Sequence, residues 1–214
     1  MKCLIITYNR LSLPVKLALW CQNHGIDPVF VDNNSTYEPL IDYYNTRCPF
    51  TVLRLNKNYG HTVVWNPETT ILQRLGITGP YIVTDPDLDL SGIPDDFLSV
   101  LEEGLKKYPR YDKCGFSLEI NDIKNQGTID WETPFWKHPL DSMYFNAQID
   151  TTFALYKTPV FSYNAIRTNR PYCARHVPWY FSHFDELPDD EKYYYQTQNS
   201  NVAEHTHVKG IIRK

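Results

Sequence analysis

Three carboxylates spaced two apart, Asp85, Asp87 and Asp89, follow the apolar run Tyr81-Ile82-Val83-Thr84. Like charges this close raise one another's pKa, so acids at the end of a buried strand are costly unless something positive sits beside them. A divalent cation is the simplest compensation, because hard cations prefer carboxylate oxygens. The plainer alternative is a solvated acidic loop that caps a helix beginning at Pro94. Asp150 stands before Thr151 and Thr152 at the mouth of another short apolar run, where a carboxylate suits either proton abstraction or a strand cap. Arg167, Arg170, Arg175 and His176 form a cationic stretch beside Trp179, a composition suited to a phosphate or to closing over a ligand. Trp131, Phe135 and Trp136 offer either a platform for sugar C–H faces or ordinary packing. His205 and His207 are candidate ligands near the carboxyl end, or part of a polar tail.

These residues need elements to position them. Lys2–Thr7, Asp27–Val31, Phe50–Leu55 and the run from Tyr81 read as strands. Helices are expected from Pro14 to Gly25, from Pro39 to about Thr46, from Asn66-Pro67 to Gly76, and from Pro94 through Leu105. Further on, Gly115–Ile120 and Phe153–Tyr156 read as strands, and Asn121–Pro139 as a polar, aromatic loop. Strands alternating with helices predict an α/β chain with a right-handed, mostly parallel sheet. In such sheets the ligand crevice lies outside the carboxyl ends of the strands. The clusters Tyr8–Arg10, Asp32–Thr36, Asn56–His61 and Asp85–Asp89 all fall at that edge, which unrelated solvated loops have no reason to do. Within Asp32–Thr36, the trio Asn33, Asn34 and Ser35 reads as a turn closed by side-chain hydrogen bonds.

Composition narrows the classes. The 214 residues suffice for one substantial domain, and the net charge of −4 argues against a nucleic-acid binder. Cys3, Cys21, Cys48, Cys114 and Cys173 show no metal or disulfide spacing, which points to reduced thiols and a cytoplasmic location. No apolar run reaches membrane-spanning length. The chain reads as a single domain over 1–214, with halves 1–110 and 111–214, and its ending also fits a domain cut from a longer chain.

Several segments, taken in order, carry a resemblance: Ile5-Ile6-Thr7-Tyr8-Asn9-Arg10, Val31–Thr36, Asn58-Tyr59-Gly60, Asp85-Pro86-Asp87, Asp150–Tyr156 and Ala174–Tyr180. Together they resemble the nucleotide-sugar-dependent glycosyltransferases of the GT-A fold. They are similar in particular to the small glycosyltransferase domain of large chlorella viruses and to bacterial family 2-like relatives. The resemblance covers most of the chain, and implies host cytoplasm if the source is viral. It implies a Rossmann-like sheet with a less regular acceptor half, and a sugar moved from a nucleotide donor, UDP-linked, to a glycan hydroxyl. It implies Mn²⁺ or Mg²⁺ on Asp85 and Asp87, with His205 or His207 as a further ligand and Lys209 at the phosphates. Thr7, Tyr8, Arg10, Asp32, Asn58, Gly60, His61 and Asp85 would contact the donor, and Asp150 would act at the sugar. Asp89 departs from the usual two-acid motif, so it caps the loop or reaches the metal through water.

Rival readings remain. A sugar-1-phosphate nucleotidyltransferase shares the scaffold, but its first loop is normally Gly-rich, whereas Tyr8–Ser12 has no glycine. A binding module that keeps the pocket without turnover is another. A haloacid-dehalogenase-type phosphatase would carry its acids after the first strand, and here three strands precede them.

Overall fold

The computed structural model describes residues 1–197. Its first half alternates strands and helices: β1 (Lys2–Thr7), α1 (Ser12–Asn23), β2 (Asp27–Asp32), α2 (Glu38–Thr46), β3 (Thr51–Arg54), α3 (Ile71–Arg74) and β4 (Tyr81–Thr84). There follow β5 (Leu88–Asp89), α4 (Phe97–Lys107), β6 (Lys113–Gly115), β7 (Ser117–Leu118), α5 (Gln126–Glu132), β8 (Tyr144–Asn146), β9 (Ala154–Tyr156), β10 (Ala165–Thr168), β11 (Cys173–His176) and α6 (Asp189–Thr197).

Eight strands form the central sheet in the order β3-β2-β1-β4-β9-β6-β10-β8. The run from β3 to β4 is parallel throughout. β9 lies antiparallel to both β4 and β6, β6 and β10 are again parallel, and β8 closes the edge antiparallel to β10. The expected α/β class with a largely parallel sheet is therefore the observed one. A second sheet, β5-β11-β7, stands beside it.

β1, β2 and β4 read as unbroken apolar runs because both faces of the sheet are covered. Side chains alternate between faces with period two. Cys3 and Ile5 join α1 and α4 through Leu17, Ala18, Phe97 and Leu101. Leu4 and Ile6 face Val63, Val64 and Ile71 on the other side. Each Leu, Ile, Val or Phe among them removed from water contributes about 1.5–3 kcal/mol, and this fixes the register that brings the strand ends level.

Three local expectations are corrected. The helix from Asn66 is cut to Ile71–Arg74. Asn66 Oδ1 instead accepts from the Glu68 N–H at 2.9 Å, and Thr69 Oγ1 donates to the Val63 carbonyl at 2.8 Å. These side chains satisfy backbone groups that a helix would otherwise use. The strand expected over Gly115–Ile120 is divided between the two sheets as β6 and β7, with the chain turning at Phe116. At Gly115 a Cβ would lie 2.5 Å from the Phe153 carbonyl oxygen, so only glycine permits β9 to approach. Inside the expected loop, Asn125 caps α5 by accepting from the Thr128 N–H at 2.9 Å. Asp189, Asp190 and Glu191 form the first turn of α6.

Candidate functional site

β9 explains how Asp150 reaches the acid turn. Because β9 runs antiparallel to β4, the residues that precede it arrive at the carboxyl end of β4. The Asp85 N–H donates to the Thr151 carbonyl at 2.9 Å, and Thr151 Oγ1 donates to Asp85 Oδ1 at 2.6 Å. Asp150 Oδ1 accepts from the Thr151 N–H at 2.7 Å and the Thr152 N–H at 3.3 Å. Burial, then the charges of Asp150 and Asp87, push Asp85 up to about 7. Burial pushes Asp150 upward too, but the Thr151 N–H and Arg167 outweigh it and hold the carboxylate below its ordinary value. Beneath the turn lies Lys113, fully buried, donating to the Asp150 carbonyl at 2.6 Å and to the Tyr156 hydroxyl at 2.7 Å. Burial lowers its pKa to about 7 against the opposing pull of Asp150 and Asp85.

Asp87 lives in different surroundings. Its Oδ2 accepts from Arg10 at 2.7 Å and lies 3.4 Å from His176 Nε2. Burial alone would raise its pKa; Arg10 and then His176 reverse that and hold it well below the usual range. The same pairing, against its own burial, raises His176. Arg10 is itself sandwiched: Glu191 Oε1 lies 2.9 Å from its Nε, and the Tyr194 ring centroid is 3.7 Å from its Cζ. Glu191 is wholly buried and pushed up to about 7, since Arg10 only partly offsets its burial.

α6 is thus laid across the first loop. Asp190 accepts from the Leu11 and Ser12 N–H groups, both at 2.7 Å, and from Ser12 Oγ at 2.8 Å. α1 has no side-chain cap of its own, and Asp190 satisfies its first-turn donors from the far end of the chain.

The other strand-end loops are knitted together. Asn9, at φ 55°, accepts through Oδ1 from the Thr36 and Tyr37 N–H groups at 2.6 and 3.1 Å. Asn33 bridges to the third loop, donating to the Gly60 carbonyl and accepting from the Tyr59 N–H, both at 3.1 Å. Gly60 takes φ 77°, a conformation that glycine adopts without strain, and its N–H donates to Asn58 Oδ1 at 2.8 Å. Thr7 is buried against Tyr44 at 3.1 Å, while Tyr8 is half-buried with its ring edge-on to Tyr194. Asp32 is fully buried and bonded to the Ser35 hydroxyl and N–H; burial raises its pKa despite those bonds. His61 is exposed beside Phe161. Asp89 turns to its own loop, accepting from the Ser91 N–H at 3.0 Å, with Lys16 at 3.4 Å.

The cationic stretch is largely paired. Arg167 meets Glu132 at 2.5 Å, Arg170 meets Glu119 at 2.6 Å, and Arg175 meets Asp122 at 2.9 Å. Arg167 and Arg170 also cover the rings of Phe135 and Trp136, each at 4.2 Å, whereas Trp131 is 46% exposed. Of the expected platform, two rings are therefore taken up by guanidinium stacking. His205, His207 and Lys209 lie outside the described residues.

Asp190, Glu191, Tyr194 and Lys113 were missed by sequence reasoning. A signal for three of them was present. Asp190 with Tyr194, and Glu191 with Tyr195, stand four apart, and so share adjacent faces of one helix. That pattern does not disclose what the face covers, which here is Arg10.

The oxygens at the turn suit a hard cation. Asp87 Oδ1 is buried and accepts no hydrogen bond among the described residues, and the raised Asp85 is a second acid in want of positive charge. Among the described residues no group of three or more His, Cys, Asp or Glu forms a ready cage.

No family model matches the chain. No curated protein matches it either. Among solved structures, one that resembles it is the crystal structure of S. aureus TarS 1-349, at 14% identity and a TM-score of 0.40 over 73% of this chain. The chain spans 46% of that structure's length. The fold described above rests on the strand order itself.

Proposed function

We propose that the chain is a metal-dependent glycosyltransferase that moves a sugar from a nucleoside diphosphate donor, UDP-linked, to a hydroxyl of a glycan acceptor. The observation that carries this reading is the meeting of Asp85, Asp87 and Asp150 at the edge where the β1, β2 and β3 loops converge. Asp85 and Asp87 would hold Mn²⁺ or Mg²⁺. When bound there, the cation would supply charge for a departing diphosphate. The chain's own groups do the rest. Asp150, held ionised by the Thr151 N–H and Arg167, stands where a carboxylate can take an acceptor proton or face positive charge at the sugar. The half-buried Tyr8 offers a ring to the base, and the loops tied by Asn9 and Asn33 provide a pre-set wall for the nucleotide.

The test is a panel of nucleotide sugars with Mn²⁺, following release of the nucleoside diphosphate. Turnover of one donor, abolished reversibly by EDTA and lost in Asp85→Asn and Asp87→Ala, is the expected result. Full activity in EDTA overturns the metal role. Tight binding of a UDP-sugar with neither transfer nor hydrolysis replaces the transferase with a binding module.

A further inference from the structure

Away from the nucleotide loops, the 122–125 loop and the segment Trp179–Ser182 line an open-mouthed cavity of about 300 Å³. Its position ties it to the acid turn. β11 pairs with β5, the Val177 N–H donates to the Asp87 carbonyl at 3.0 Å, and the Trp179 ring packs on His176 with centroids 4.8 Å apart. His176 in turn touches Asp87. One side chain therefore separates the cavity's aromatic wall from the candidate metal ligand.

The lining is amphipathic at close quarters. Trp179 is almost entirely buried by its neighbours, and Tyr180 is half-exposed at the rim. Around them stand a carboxylate (Asp122), an ammonium (Lys124), an amide (Asn125) and a hydroxyl (Ser182). Asp122 is fixed in place by the Tyr180 hydroxyl at 2.7 Å and Arg175 Nε at 2.9 Å. A pyranose ring presents the matching surface, with apolar C–H faces for the rings and an edge of hydroxyls that both donate and accept. A phosphate is a poor match, because Asp122 is itself an anion in the wall and already engages the Arg175 guanidinium.

Resting on the transfer reading above, we infer that this cavity is the saccharide acceptor subsite, with Trp179 and Tyr180 as its ring wall and Asp122 and Lys124 as its hydroxyl contacts. The acceptor is thus placed against 122–125 and 179–182, in place of the Trp131, Phe135 and Trp136 platform.

The probe is a set of methyl pyranosides, observed by saturation-transfer NMR on the whole protein in EDTA and without nucleotide. Binding of at least one glycoside in the millimolar range is expected, since a single ring contacts few groups. Tyr180→Ala and Lys124→Ala, both at exposed positions, are each expected to weaken it at least about fivefold, equivalent to roughly 1 kcal/mol. UDP affinity in both variants should stay at the wild-type value. Absence of glycoside signal from the wild type at about 50 mM, well above the expected affinity range, overturns the subsite. So does loss of binding in Trp131→Ala with none in Tyr180→Ala. Donor turnover with glycoside binding indifferent to both variants sinks the subsite and leaves the transfer reading intact. Glycoside binding that depends on Tyr180, with no donor bound or turned over, does the reverse.

Discussion

Asp85 and Asp87 are two residues apart on one turn, the first partly and the second almost fully buried, yet their environments push them in opposite directions. On the Asp87 side the chain supplies the missing cations itself: Arg10 from the first loop and His176 from β11, with Glu191 and Tyr194 closing over Arg10. On the Asp85 side the nearest charges are more acids, and the main help is a hydroxyl from Thr151. Burial alone therefore does not say what a carboxylate will do. The partner decides: cations of the chain hold Asp87 low, while Asp85, given mainly a hydroxyl, is pushed up by its neighbouring acids.

The contrast is broken most severely at Arg10. Arg10→Ala strands Asp87 and Glu191 in a buried site, and urea unfolding should show a loss of about 3–5 kcal/mol. A loss under about 1 kcal/mol would mean that Asp87 does not depend on this pair.

The two acids should then answer an Asp→Asn change with opposite signs in EDTA-treated protein. The folded pKa of Asp87 lies below its ordinary value of 3.8, so its contribution to stability is present above that pH and lost as pH falls through the folded value. Asp87→Asn should cost about 3 kcal/mol at pH 8, with the deficit shrinking in acid. Asp85 has a folded pKa near 7, so the folded state holds the extra proton between 3.8 and about 7, and stability falls as pH rises through that window. Asp85→Asn should be the more stable protein at pH 8, on the order of 1–3 kcal/mol, and match the wild type below pH 4. Equal signs for the two variants would erase the distinction.

Smaller effects sharpen the boundaries. Asp190→Ala removes three acceptor contacts that hold α6 to the start of α1, and should cost about 1–2 kcal/mol. Hydrogen exchange should quicken at Leu11 and Ser12 while β4 stays protected. Arg175→Ala breaks a pair whose side chains are each 42% exposed, and should change unfolding stability by less than about 1 kcal/mol. An equal cost for the Arg10 and Arg175 changes would show that burial is not what separates these pairs.

The strands of the first half were legible because β1, β2 and β4 are unbroken apolar runs ending in polar clusters. The meeting of Asp150 with Asp85 followed from family likeness, not from pattern: no local signal says that β9 runs against its neighbours. The Asn66 helix failed because Asn66 and Thr69 had a nearer use for their side chains. Lys113 sits where an apolar residue would be expected, and only the three-dimensional position of the Asp150 carbonyl and Tyr156 explains it. The Arg167, Arg170 and Arg175 stretch looked available because each partner, Glu132, Glu119 and Asp122, lies far away in sequence.

The latch of α6 on the first loop also sets an order of events during synthesis. Asn9 donates to Thr197 Oγ1 at 3.1 Å, and Arg10 waits for Glu191, so contacts made by the first loop bridge nearly the whole described chain. Such closures carry a high loop entropy and form late. A nascent chain emerging from the ribosome can lay down β1 to β4 early, with Arg10 beside Asp87, but Glu191 over Arg10 and the Asp190 acceptor for the first turn of α1 arrive only once residues 190 and 191 have been translated. The acid turn is finished late, by residues about a hundred positions downstream of it, and a truncated product ending before Asp190 leaves it incomplete.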